Sequence, residues 1–243
     1  MVSAADVSPG ATAFRAVARA DAGLFTHRFN YPVAARLASA SFRARLRPSA
    51  LTLANLVLGV GASVAVVAVT PWLHRDLVHV GVGVAVWLIW QLAYCLDCAD
   101  GQLARVSGKS SPAGGRLDVL CDIAVQVALV AAVIAVSASA GREYPVWLPG
   151  VFAASWMVNM VTSVMAKEGA NVSLVTSRSL PVLIVKLVRD YGFIVTVIAA
   201  TIAIAPSAMV WVMAGFTLVN CGFLAASIGL TARAAWRSGP PTT

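Results

Sequence analysis

The stretch DCADGQLARVSGKSSPAGGRLDVLCD, residues 97–122, sets four aspartates between two long apolar runs. Its fixed points are Asp97-x2-Asp100-Gly101-x2-Ala104-Arg105-x8-Gly114-x3-Asp118-x3-Asp122. The chain has 10 acidic residues in all, so four of them gathered here is a concentration that needs a reason. A carboxylate inside or at the edge of a bilayer is costly, and its presence there points to function. The glycines from Gly108 to Gly114 break the helical pattern in the middle. The stretch therefore reads as the end of one apolar helix, a short turn and the start of the next.

Working outward, the same pattern recurs along the chain. Of the 243 residues, 59% are hydrophobic and 12% charged, and the mean hydropathy is +0.82. A soluble domain carries about twice that charged fraction. Apolar stretches run at roughly 50–70, 77–104, 115–139, 145–166, 183–205 and 207–232, long enough for membrane helices of about 20 residues. Pro71, Gly141, Pro145 and Pro206 punctuate them. The expected fold is all-α: a polytopic bundle of six transmembrane helices, with an N-terminal cytoplasmic juxtamembrane helix over residues 32–45. In that helix Val33, Leu37, Ala40 and Ala44 share a stripe, with Arg36, Ser39 and Arg43 beside it.

Basic residues set the orientation. With the N-terminus inside, all of the 18 basic residues except Arg75 and Arg142 fall on the cytoplasmic side. Both termini are then cytoplasmic, in an inner or cytoplasmic membrane, and the four aspartates lie at the cytoplasmic face. The first 45 residues show no compact apolar core followed by a cleavage site, and read as a membrane-surface segment. The net charge of +8 suits anionic headgroups. No interleaved basic and aromatic pattern supports nucleic-acid binding. Cys95 and Cys98 read as small apolar residues, since no second pair or nearby histidine completes a metal set.

At roughly 100° per residue, Asp97 and Asp100 lie about 60° apart on one helix face, with Gly101 and Ala104 beside them. Asp118 and Asp122, four apart, share a face of the next helix. The short turn makes the two helices antiparallel neighbours, and the four acids can converge in one pocket. Four bare carboxylates would repel one another and some would take up protons. Divalent cations remove that conflict, and an all-oxygen set favours Mg2+, Mn2+ or Ca2+ over zinc. Two ions can clamp a diphosphate. One carboxylate can instead accept a proton from an attacking hydroxyl. Arg105 stands ready for a phosphate.

On these residues the chain resembles the CDP-alcohol phosphotransferase family of integral membrane enzymes. Asp97, Asp100, Gly101, Ala104, Arg105, Gly114, Asp118 and Asp122 match its pattern without a gap. The resemblance implies displacement of CMP from a CDP-linked donor, often CDP-diacylglycerol, by an alcohol acceptor, in phospholipid biosynthesis. It implies that Asp97, Asp100, Asp118 and Asp122 bind Mg2+ or Mn2+, as two ions, and that Asp122 is the general base. Gly101, Arg105 and Ser111 match positions that contact the CDP part of the donor. Homodimers are common in the family. A Pro-Asn-x-x-Thr stretch often precedes the first span; here it reads Pro48-Ser49-Ala50-Leu51-Thr52, a departure that puts nucleotide binding by residues 48–52 in doubt. Asp21, Phe25 and Asn30-Tyr31-Pro32 look like the juxtamembrane portion of inositol-phosphate-using members.

The resemblance is expected to cover residues 28–235, leaving 1–27 as a flexible cytoplasmic segment and 236–243 as a cytoplasmic tail. Lys167, Arg178, Lys186 and Arg189 flank the fourth-to-fifth connection on the site's side, and Arg116 lies beside the motif. They are candidates for the phosphate of glycerol-phosphate or inositol-phosphate, or serve only to orient the chain. Asp190 is expected to neutralise Arg189. Two other functions share these residues: a divalent-cation transporter, and a transferase using a soluble CDP-inositol-type donor. A transporter would need polar groups through both halves of the membrane, and the outer half has no matching acid.

Overall fold

The computed structural model describes residues 9–19, 22–75, 77–168 and 187–237. Among them are helices and no strand, as the all-α reading expects. The α-helices in order are α1 Ala11–Ala16, α2 Tyr31–Arg43, α3 Pro48–Val69, α4 Val78–Val106, α5 Pro112–Ser139, α6 Leu148–Glu168, α7 Tyr191–Ile204 and α8 Met209–Arg237. A π-helical turn, Thr26–Asn30, leads into α2. Four helical segments are long and apolar enough to cross a membrane: Pro48–Trp72, Val78–Val106, Pro112–Ser139 and Pro206–Arg233. The fourth and fifth expected spans correspond to α6 and α7, whose apolar stretches, Leu148–Val158 and Tyr191–Ile204, are shorter among the described residues.

Local chemistry explains the turn that carries the motif. Lys109 N–H bonds Ala104 O at 2.9 Å, closing the end of α4. Gly108 sits there at φ +65°, a left-handed position that favours a residue without Cβ. Ser111 then caps α5, its Oγ accepting from Gly114 N–H at 3.1 Å, with Pro112 in the first turn. Proline fits there because that N–H has no helical partner in any case.

One expectation is corrected at this point. α4 and α5 are joined by a short turn, yet each packs mainly against α3 rather than against the other. Gly59 lets α3 close on α5: a Cβ there would lie 2.7 Å from Val125 Cγ1. The physical reason is α3, which lies against both helices. On its other side α4 meets α7, where a Cβ on Gly83 would lie 2.5 Å from Ala203 N. α6 pairs with α8 through Trp156, stacked on Phe216 at 4.4 Å.

The main apolar core joins α3 to α8 in the half of the bundle away from the acids, around Val66, Trp90, Leu129, Phe152 and Ile198. The bundle's flanks are apolar too: Ile204 is 79% exposed, Leu218 75% and Val57 69%. Such surface suits lipid rather than water.

α2 covers the expected 32–45 helix but buries a different stripe. Tyr31, Ala34, Ala35, Ala38 and Ser41 are buried, while Val33, Ala40 and Ala44 are exposed. α2 packs against α4, and small side chains let the two approach closely. Most of the apolar stripe read from the sequence is therefore outward, as a helix at a membrane surface would have it, while Leu37 is half-buried. A second, smaller core sits here: Phe14 of α1 is fully buried among Ala34, Ala35, Ala38, Leu51 and Leu103.

Candidate active site

α4 and α5 bring the predicted acids to one end of the bundle. Asp97, Asp100 and Asp118 each offer a carboxylate oxygen, and these oxygens lie within 4.8 Å of one another. Asp122 and Asp97 line a cavity of about 40 Å³, together with Asn55, Tyr94, Val125, Gln126 and Tyr191. The two acid pairs thus meet across the α4–α5 gap, as the helical spacing predicts.

The residues fit divalent metal. Asp97 Oδ1 is buried with no hydrogen-bond partner, a condition that protein interiors avoid unless something else satisfies the atom. The donors are hard carboxylate oxygens. Asp100 is 5% exposed and accepts from the Thr52 hydroxyl, which leaves its other oxygen for a ligand. Thr52, which keeps its place in the Pro48–Thr52 stretch despite serine at position 49, thus reaches the acid cluster through Asp100.

The three positions matched to the donor fall as follows. Gly101 lies under the Arg105 side chain, where a Cβ would be 3.2 Å from Nη1 and 3.3 Å from Nη2. Arg105 Nε–H bonds the Val17 carbonyl at 2.9 Å. Ser111 is exposed and occupied as the cap of α5. Among the acceptor candidates, Arg116 is exposed near the start of α5. Arg189 lies over Phe223 of α8, its Cζ 3.8 Å from the ring centre. Lys167 is on α6 with its side chain not described, and Arg178 and Lys186, like Asp21, lie outside the described residues.

Asp190 does something other than neutralise its neighbour. It is 3% exposed and accepts twice from Thr26, from N–H at 3.0 Å and from the hydroxyl at 2.6 Å. Thr26 has one hydroxyl proton, and Asp190 takes it. The Tyr94 hydroxyl, 3.1 Å from Thr26 Oγ1, must then be the donor in that contact. Tyr94 has no second proton, so towards the cavity it can only accept. Beside it, Asn30 Nδ2 donates to Gln91 Oε1 at 2.6 Å, and Gln91 Nε2 to Gly192 O at 2.8 Å. The junction tolerates no extra atoms: a Cβ on Gly23 would lie 2.1 Å from Asp190 Oδ2, and one on Gly192 2.4 Å from Asn30 Oδ1.

Sequence reasoning missed Asn55, Tyr94, Gln126 and Tyr191. Three of them carried a signal. Tyr94 is three residues before Asp97, Gln126 four after Asp122 and Asn55 three after Thr52, each one helical turn along a face already marked. Tyr191 joins the cavity from α7 through tertiary packing, which no local period announces. Gln126 is held by Trp156, whose Nε1–H donates to its Oε1 at 2.9 Å.

A family model described as CDP-alcohol phosphatidyltransferase matches residues 45–221, more than half of the chain. A search among curated proteins found no match.

Proposed function

The chain belongs to the CDP-alcohol phosphatidyltransferase family, and on that premise we propose that it moves a phosphatidyl group from CDP-diacylglycerol to an alcohol, releasing CMP. The observation that carries this reading is the meeting of two acid pairs at one end of the bundle, with three carboxylates within 4.8 Å. Asp97, Asp100, Asp118 and Asp122 would hold two divalent cations, Mg2+ or Mn2+, which supply charge neutralisation for the diphosphate. Thr52 orients Asp100. Gly101, Arg105 and Ser111 receive the CDP part, with Arg105 as the charged donor.

Asp122 takes the proton of the acceptor hydroxyl. The hydroxyl oxygen attacks the phosphorus bearing the diacylglycerol, forming a P–O bond as the bond to the CMP oxygen breaks. Tyr94, which can only accept towards the cavity, suits a neighbour rich in hydroxyls. Glycerol-phosphate and inositol-phosphate are the acceptors we favour, with Arg116, Lys167, Arg178, Lys186 and Arg189 as candidates for their phosphate. The bundle is read as six spans with both termini cytoplasmic, α2 at the membrane surface and the site facing the cytoplasm. Arg43, Arg47 and Arg105 stand at the ends of α2, α3 and α4 nearest the acids, which supports that orientation.

The test is CMP release by purified protein in detergent with CDP-diacylglycerol and Mg2+. The acceptor panel holds glycerol-phosphate, inositol-phosphate, inositol, serine and phosphatidylglycerol, beside Asp122→Asn and EDTA controls. Metal-dependent release with one acceptor, lost in Asp122→Asn, establishes the reaction and names the acceptor. No release with any acceptor rules out this donor, and CDP-inositol is then the donor to try.

A further inference from the structure

We propose that α1 is a positioning element for the donor: its Val17 carbonyl pins Arg105 Nε and so holds the two terminal amines over Gly101, next to Asp100. This rests on the reading of Arg105 as a donor contact. α1 lies outside the matched stretch, which begins at residue 45.

The geometry has three parts. Val17 follows α1 as its C-terminal cap residue, and carbonyls at a helix end have no partner within the helix. Val17 O takes the Arg105 Nε–H at 2.9 Å. A guanidinium has five N–H donors, and with Nε occupied the four on the terminal amines remain. Gly101 makes room for those amines, which would stand 3.2 and 3.3 Å from a Cβ at that position. The side chain is thus fixed at its stem and offers its end to an anion.

Val17 is itself held. Phe14 is fully buried, with its ring 6.0 Å from that of Phe42. At the other end of α1, Ser39 Oγ donates to Pro9 O at 3.2 Å. An arginine ordered before its ligand arrives loses less freedom on binding, which raises affinity without a new contact. The competing explanation is that Arg105 merely fastens α1 to the bundle. The two differ in whether loosening α1 weakens donor binding through Arg105.

The experiment titrates full-length protein in detergent with CDP in the presence of Mg2+. It compares wild type, Phe14→Ala, Phe14→Leu, Arg105→Ala and the Phe14→Ala/Arg105→Ala double variant, with thermal unfolding of each. Phe14→Ala is expected to weaken CDP roughly 2- to 10-fold, the range for ordering one flexible side chain. Phe14→Leu should restore most of it. On the Arg105→Ala background, Phe14→Ala should cost nothing more. Arg105→Lys keeps the charge but lacks Nε. It is expected to bind CDP more weakly with the Phe14 packing of α1 kept, so the proposal stays testable if Phe14→Ala does not fold, and CDP binding equal to wild type in Arg105→Lys overturns it. Unchanged binding in Phe14→Ala, or the same loss with and without Arg105, overturns the proposal. CDP binding in Arg105→Ala equal to wild type removes the donor role of Arg105 itself and leaves α1 as a fold anchor. A wild type that does not bind CDP overturns both.

Discussion

Asp190 and Asp97 are two aspartates at the same end of one bundle, and their surroundings are opposite. Asp190 has two donors from a single residue, Thr26, at 3.0 and 2.6 Å. Asp97 keeps an oxygen buried without a donor, in a group of acids within 4.8 Å of one another. A buried carboxylate supplied with donors is a fastener. One with an oxygen left unpartnered and crowded by its own kind is destabilising until a cation arrives. The contrast separates structure from function more sharply than burial does.

The comparison is broken first by exchanging acids for amides. Asp97→Asn is expected to lower CMP release by about 10²- to 10⁴-fold, in the range for losing a group that acts in the transition state. Its thermal unfolding temperature should not fall, because the change relieves repulsion. An unfolding temperature well below wild type would make Asp97 a second fastener.

Metal should then stabilise one centre and not the other. Saturating wild type with Mg2+ at about 100 times its dissociation constant is expected to add about 2.7 kcal/mol, seen as a rise in unfolding temperature that EDTA reverses. Asp97→Asn/Asp118→Asn should lose that rise, and Asp190→Asn should keep it.

Asp190→Ala removes a partner from buried Thr26 donors and is expected to cost roughly 1–3 kcal/mol, measured by denaturant or thermal unfolding. Thr26→Val should cost a similar amount, and Thr26→Ser much less. The smallest effect sharpens the comparison at its edge. Ser111→Ala is expected to cost about 1 kcal/mol of helix-cap stability. A disproportionate loss of CDP binding in the same variant would show that Ser111 serves the donor as well as α5.

Much of this could be read from the chain before its structure. The proline and glycine punctuation placed α3, α4, α5 and α8 within a few residues of their observed ends, because hydropathy and breakers act locally. The acid set was legible for the same reason: its spacing is a helical period. The partner of each helix was not legible. Gly59 against Val125 and Gly83 against Ala203 decide which helices touch, and a glycine's neighbour leaves no local trace. The face of α2 that meets α4 was not legible for a related reason. Alanine and serine buried the inner face, where larger apolar residues would be expected, since close approach needed small side chains. Asp190 was misread because its partner lies 164 residues away and its neighbour in sequence is a tempting arginine.

That separation has a consequence for how the molecule is made. Thr26 leaves the ribosome well before Asp190 exists, by roughly ten to thirty seconds at about 5–20 residues per second. Through that interval α3, α4 and α5 can enter the bilayer and bring the acids together, while the turn at Thr26–Asn30 has nothing to hold. Tyr94 meanwhile has Thr26 beside it, but not the Asp190 carboxylate that takes the Thr26 proton and so turns Tyr94 into the donor. The nascent enzyme therefore brings its acid cluster together early and completes the cavity wall late, when α7 arrives with Tyr191 and takes hold of the N-terminus.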